Sequence, residues 1–148
     1  MVSLILTTDE RIRAVEAIID YEFVDKTHLE KALAAAGATK DPEGNKPGAA
    51  LGDAQLKIVI IMDGLRSGHS IGHMAKRRDT LATNPKLTQI GDQLGLKPYI
   101  RPNPAQGFVP DSLVATTVQA IIGAVFLDSN KDFRRTSLLI VHMGILEQ

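Results

Sequence analysis

The chain contains no cysteine. Disulfides, thiolate metal sites and cysteine nucleophiles are therefore excluded. The absence fits a reducing compartment, and an intracellular location is the expectation, with no compartment specified. An excess of either charge is also missing, because seventeen Lys and Arg offset seventeen Asp and Glu. A globally basic footprint, as carried by many nucleic-acid binders, is thus absent, and only a local basic patch is left for such a role. Long apolar runs are lacking too. The longest, "IVIIM" at residues 58–62, falls far short of the roughly 20 residues that cross a bilayer, so no membrane partner is expected. The N-terminal "MVSLILTTDERIR" has no basic lead before its short apolar run and is not rich in Arg and Ser, which argues against a secretory signal or a transit peptide.

What is present is a helical pattern. The 148 residues, 44% of them hydrophobic, suit one ordinary domain with a real core. "TTDERIRAVEAIIDYEF" predicts a helix capped at Thr8 or Asp9, with Ile12, Val15, Ile18 and Ile19 at helical spacing. "DKTHLEKALAAAG" predicts a second, capped at Asp25 or Thr27 and stopped by Gly37. "ATKDPEGNKPG" collects prolines and glycines and reads as a loop. "AALGDAQLKIVIIMDGLRSG" is apolar nearly all round and reads as a central buried helix entered through a Gly-Asp turn. "SIGHMAKRRDTLAT" is amphipathic with a basic outer face. "NPKLTQIGDQLGL" follows Asn84 as cap with Pro85 at its first position. "KPYIRPNPAQGFVP" is a loop, "DSLVATTVQAIIGAVFLDS" a long apolar helix capped at Asp111 or Ser112, and "KDFRRTSLLIVHMGILEQ" a closing amphipathic helix. No strand and no internal repeat is evident. The expectation is one all-α domain, residues 1–148, of about seven helices.

Four of these segments resemble one family. "LGDAQL" resembles the signature N-E-R-L-E-F-L-G-D-A-V-L of the ribonuclease III domain. "LATNPKLTQIGDQLGLKPYI" resembles the segment of that family leading to Leu-Gly-Leu and Tyr-Ile. "DSLVATTVQAIIGAVFLDS" resembles S-I-L-A-D-T-V-E-A-L-I-G-A-V-Y-L-D-S, and "IDYEFVDKTHLEKAL" resembles the first hairpin. The match runs in order from about residue 10 to residue 148. It implies the ribonuclease III endonuclease-domain fold, paired as a homodimer, with no double-stranded-RNA-binding domain after it.

The family cleaves phosphodiesters with Mg²⁺, which demands a cluster of hard oxygen ligands at about 2.0–2.1 Å. It supplies four carboxylates from two helices. Two lie four residues apart on the signature helix and two lie three apart on the later one, and either spacing sets a pair on one helical face. Carried over position by position, the signature Glu falls on Ala49 and the signature Asp on Asp53. The later Asp falls on Thr116 and the later Glu on Gln119. Only Asp53 remains as a catalytic or metal-binding candidate. Gln119 offers a neutral carbonyl and Thr116 a hydroxyl, neither with the charge that holds Mg²⁺ against water. The histidine that follows the second helix in the family is Ala35 here, and the aromatic of the signature is Ala50. For Asp53, a helix-start acid favoured by the helix dipole competes with a residual metal ligand.

Other candidates are bland by comparison. His69 and His73, four apart, have a spacing that binds metal on a helix, but lack a third ligand at a telling distance beyond Asp79. Lys76, Arg77 and Arg78 form the best basic patch, read either as a solvated face or as phosphate contacts to double-stranded RNA. His28, His142, Arg134 and Arg135 read as surface residues without a special role. The expected function is a degenerate, catalytically inactive ribonuclease III domain that binds double-stranded RNA or acts as a scaffold in RNA processing, with no cofactor. One alternative is an active endoribonuclease using Mg²⁺ or Mn²⁺, with Asp53 joined by Asp41, Glu43 or Asp63, or completed as a heterodimer by an intact paralogue. Another is a protein–protein module with no RNA role.

Overall fold

The structure is a computed structural model that describes residues 5–147. Among the described residues seven α-helices follow one another: α1 Thr8–Ile19, α2 Lys26–Ala32, α3 Lys46–Arg66, α4 Ile71–Leu81, α5 Asn84–Leu94, α6 Asp111–Asp128 and α7 Phe133–His142, with one 3-10 turn at Lys97–Tyr99. The expected all-α architecture is borne out. Among the described residues the only β pairing is an isolated bridge between Ala34 and Arg101.

Helix ends depart from the sequence reading by small amounts, each for a local reason. α1 is capped one residue early, by Thr7, whose hydroxyl accepts from the Glu10 N–H while the Glu10 carboxylate accepts from the Thr7 N–H. This reciprocal capping box satisfies two orphan donors at once. α2 is capped by Asp25, as expected, but ends at Ala32 rather than near Gly37. There Ala35 N–H donates to the Arg101 carbonyl and Arg101 N–H to the Leu33 carbonyl, so the chain leaves the helix to meet a distant loop. α5 is capped by Thr83, which places Asn84 and Pro85 inside the first turn.

α3 differs most. It begins at Lys46, so Pro47 and Gly48 lie in the helix rather than in the preceding loop. Proline is tolerated there because its missing N–H would have had no helical partner in the first turn. The Gly52-Asp53 pair is therefore not a turn. Both residues sit beyond the first turn of α3, and Asp53 is too far from the helix start to draw on its dipole.

α6 is the centre of the domain. Val114, Ala115, Thr117, Val118, Ile121, Ile122 and Val125 are fully buried in it, each larger aliphatic contributing about 2 kcal/mol by removal from water. By length and composition α6 alone among the described helices would suffice to cross a membrane, yet more than half of that span is covered by the rest of the domain. Its most extensive contact is with α3. The two backbones touch: a methyl added at Gly52 would overlap the Gln119 carbonyl, and one at Gly123 would overlap the Gly48 carbonyl. Asn45, buried beside this crossing, donates to the Ala32 carbonyl at 2.9 Å and the Thr117 hydroxyl at 3.1 Å, joining α2, α3 and α6.

The C-terminal end of α6 anchors the α1–α2 connection. Asp128 accepts from the Tyr21 hydroxyl at 2.7 Å and from the N–H groups of Val24 and Asp25 at 2.9 and 2.8 Å. Partial burial alone would raise this carboxyl, but the Asp25 N–H, the Tyr21 hydroxyl and the Val24 N–H outweigh it and hold it below the ordinary carboxylate range. Tyr21 is pushed up in turn, by burial and then by its bond to Asp128.

α3 is not buried all round, as its composition suggested. Ile58, Ile61, Met62 and Leu65 recur at helical spacing on its outer face and are exposed, Leu65 by 67%. Leu138 of α7 is exposed as well. A broad trough between the two helices is lined by Met62, Leu65, Leu138, Val141 and Leu146.

Two outcomes follow from this packing. Gly52→Ala should destabilise the domain by about 2 kcal/mol or more, lowering Tm by roughly 4–8 °C in a thermal melt, because neither backbone can retreat. Asp128 contributes stability that is present above its unfolded pKa of about 3.9 and lost as pH falls through its lower folded value. Asp128→Asn should therefore lower stability at neutral pH by about 2 kcal/mol and flatten the acid limb of the stability–pH curve below about pH 4.

Candidate functional site

The α3–α6 crossing presents the four positions at which the resemblance places carboxylates. α3 brings Ala49 and Asp53, one turn apart, and α6 brings Thr116 and Gln119, three residues apart. Because Gly52 packs on the Gln119 backbone, the side chains of Asp53 and Gln119 meet although 66 residues separate them. Gln119 Nε2 donates to Asp53 Oδ1 at 3.2 Å. Lys57, one turn along α3, donates to Asp53 Oδ2 at 2.8 Å. Both oxygens of the single carboxylate thus face N–H donors. Ala49 is buried and offers no donor atom, and the Thr116 hydroxyl donates to the Ser112 carbonyl at 2.8 Å.

This donor set does not fit a divalent ion. Mg²⁺ needs several oxygen ligands and draws its affinity from their negative charge. Here one formal negative charge is already paired with an ammonium. Among the described residues no group of three His, Cys, Asp or Glu stands close enough to hold a metal. As a surface pair with both side chains partly exposed, Asp53–Lys57 adds only about 0.2–1 kcal/mol to stability. Its importance is electrostatic, since it makes the site neutral.

The residues considered for a relocated site do not converge on Asp53. Asp63 lies ten residues further along α3, about 15 Å away by helical rise. It is held by Arg77 at 2.8 Å and Arg66 at 3.8 Å. Asp41 pairs with Lys31 at 3.7 Å and accepts from the Glu43 N–H. Its carboxyl is held low by that N–H, partial burial working the other way.

The histidine pair is not a helical i,i+4 pair. α4 starts at Ile71 with Ser70 as cap, so His69 lies in the turn before it. The rings stack in parallel, centroids 4.1 Å apart. Nitrogens in stacked rings point side by side rather than converging on one ion. Arg77 reaches His69 Nδ1 at 3.5 Å, and Asp79 pairs with Arg78 at 3.6 Å instead of approaching the histidines.

The basic patch divides. Arg77 is engaged by Asp63 and Arg78 by Asp79, whereas Lys76 is exposed and has no ion-pair partner among the described residues. Lys76 and Arg77 share a cleft of about 630 Å³ with His73 and Lys86, and Arg78 lies outside its lining. His28 lies 3.9 Å from Asp25, and His142 Nε2 sits 3.1 Å from the Ile18 carbonyl. Arg135 is exposed but stacks over the Tyr21 ring at 5.1 Å, and Arg134 is exposed. Ala35 is buried and Ala50 exposed.

Sequence reasoning missed two residues of this region. Lys57 was visible as an i,i+4 partner of Asp53. Asn45 opens the signature stretch, but its role depends on Thr117, far away in the sequence.

The architecture is an all-α domain whose α3–α6 crossing carries one carboxylate, Asp53, paired with Lys57 and Gln119. Residues 49–130 match the family model of the ribonuclease III domain. Ribonuclease 3 of Vibrio atlanticus is 32% identical over 142 residues, 92% of this chain and 62% of the relative. That of Vibrio cholerae is 35% identical over 104 residues, 66% of this chain and 46% of the relative. The nuclease domain of ribonuclease III from Campylobacter jejuni superposes with a TM-score of 0.80 at 25% identity, over 89% of this chain and 94% of that domain. The chain belongs to the ribonuclease III domain family. It spans about half to three fifths of the length of the curated relatives named here.

The neutral site predicts that titration with millimolar Mn²⁺ yields no saturable heat of binding and that added EDTA leaves Tm unchanged. A metal-dependent rise in Tm that Asp53→Asn removes would contradict this account of the donor set.

Proposed function

We propose that this chain is a ribonuclease III-like pseudoenzyme: a dimeric domain that binds double-stranded RNA, or holds an RNA-processing assembly together, without cleaving. The observation that carries the reading is the occupation of both Asp53 oxygens by Lys57 and Gln119, with Ala49 and Thr116 in place of the other acids. Hydrolysis of a phosphodiester in this frame requires metal-activated water and a charge clamp on the departing oxygen, and the donor set supports neither.

Pairing is supported by the exposed stripe Ile58, Ile61, Met62 and Leu65, an apolar face of the kind that self-association covers. It is supported also by the Campylobacter jejuni domain, for which a region involved in dimer formation is described. Contact with RNA is supported by family membership and by the cleft that gathers His73, Lys76, Arg77 and Lys86. Duplex RNA is recognised mainly through shape, phosphates and 2′-hydroxyls, and the phosphate contacts of this cleft would fall to Lys76 and Lys86, since Arg77 is paired with Asp63 and Glu147 also lines it.

Incubation with double-stranded RNA and Mg²⁺ or Mn²⁺ should leave the RNA intact, while a gel shift at low ionic strength should show a complex that weakens steeply with salt. Cleavage that Asp53→Ala abolishes would overturn the inactive reading. No shift at any salt concentration would favour a protein–protein module instead.

A further inference from the structure

The misfit between the site and a divalent ion has a constructive side. In a frame of four carboxylates an RNA phosphate is repelled until metal ions intervene. Here Ala49, Thr116 and Gln119 are uncharged, and the Asp53 charge is matched by Lys57. The repulsion is gone, and a cation is built into the chain at the same place.

We propose that Lys57 takes over the electrostatic role of the absent metal, so that this site contacts an RNA phosphodiester directly and without a divalent ion. The proposal rests on the RNA-binding reading above. Lys57 is suited to the task by geometry. Its ammonium has three N–H donors, one of which is directed at Asp53 Oδ2. The side chain is 45% exposed, which leaves the other two donors open to an approaching phosphate oxygen. Asp53 fixes the ammonium over the α3–α6 crossing and at the same time lowers its attraction for anions. Gln119 donates to Asp53 from the other helix, which gives the carboxylate a second tether. The result is a positioned but partly neutralised lysine, a phosphate contact of deliberately modest strength compared with an unpaired one.

This arrangement gives opposite signs for two neighbouring substitutions. Lys57→Gln removes the cation. Asp53→Asn keeps an acceptor for the Gln119 amide while releasing the full charge of Lys57. Binding of a short RNA duplex, followed by fluorescence anisotropy in EDTA across a salt series, separates them. Lys57→Gln should weaken binding about three- to tenfold, the scale of one charge-assisted hydrogen bond, and reduce the slope of log K against log salt by about one. Asp53→Asn should tighten binding by a similar factor and steepen the slope. Wild-type affinity should be the same in EDTA and in Mg²⁺ at matched ionic strength.

A structural role for the pair would instead shift both variants in the same direction and lower both Tm values, and that result overturns the proposal. So does wild-type binding that is lost in EDTA. If the wild-type chain binds duplex RNA and neither variant changes its affinity, the Lys57 contact is refuted while the RNA-binding reading stands. If the wild-type chain binds no duplex at low salt, both fall.

Discussion

The contact on which the rest of the structure depends is the backbone-to-backbone crossing of α3 and α6. Gly52 lies against the Gln119 carbonyl and Gly123 against the Gly48 carbonyl, so neither helix has room for a single additional carbon. Close approach of this kind sets the rotation of both helices about their axes. It buries Leu56 and Ile60 on one side of α3 and turns Ile58, Ile61, Met62 and Leu65 outward. It also brings Asn45 to Thr117 and Asp53 to Gln119, two polar contacts that hold the crossing in register. The close approach itself is made by Gly52 and Gly123 and requires no cluster of acidic side chains. Fold and function are separable quantities here, as they are in other widely used folds.

Charge explains why the remaining acid takes the form it does. A lone carboxylate in a half-buried groove loses part of its hydration and needs compensation. In an acidic cluster that compensation comes from bound cations. With the other three positions neutral, Lys57 one turn away meets the need within the chain, and the Gln119 amide saturates the second oxygen. A similar logic operates at Asp128, where a carboxylate at the unfavourable C-terminal end of a helix is stabilised by two backbone N–H groups and a tyrosine hydroxyl. In each case the carboxylate oxygens are met by donors from the chain itself.

Much of the helical architecture was legible because its signals are local. α6 is a long apolar segment, although Pro110 rather than Asp111 or Ser112 is its N-cap, and α7 is an amphipathic segment whose cap, Asp132, only the structure identified. The start of α3 was misread because Pro47 and Gly48 look like loop residues. Proline is compatible with a first turn, and the helical backbone at Gly48 is the surface against which Gly123 of α6 packs. The end of α2 was overextended because Ala34, Ala35 and Ala36 favour helix, but the loop around Arg101 captures their backbone. At the site, the uncharged side chains of Ala49, Thr116 and Gln119 were legible position by position. The pairing of Asp53 with Gln119 was not, since it depends on how two helices rotate against each other.

The amino-acid sequence by itself determined the all-α class, the approximate placement of the helices, the neutral overall charge and the presence of a single carboxylate, Asp53, among positions 49, 53, 116 and 119. It also contained the Asp53–Lys57 pair, because residues four apart on one helix share a face. Only the tertiary structure decided that Gln119 closes on Asp53, that Arg77 is drawn to Asp63 while Lys76 stays without an ion pair among the described residues, and that the apolar stripe of α3 faces outward. The physical reason is that hydrophobic periodicity specifies which residues share a helical face. Which element covers that face, and how closely, is set by packing between segments far apart in the chain.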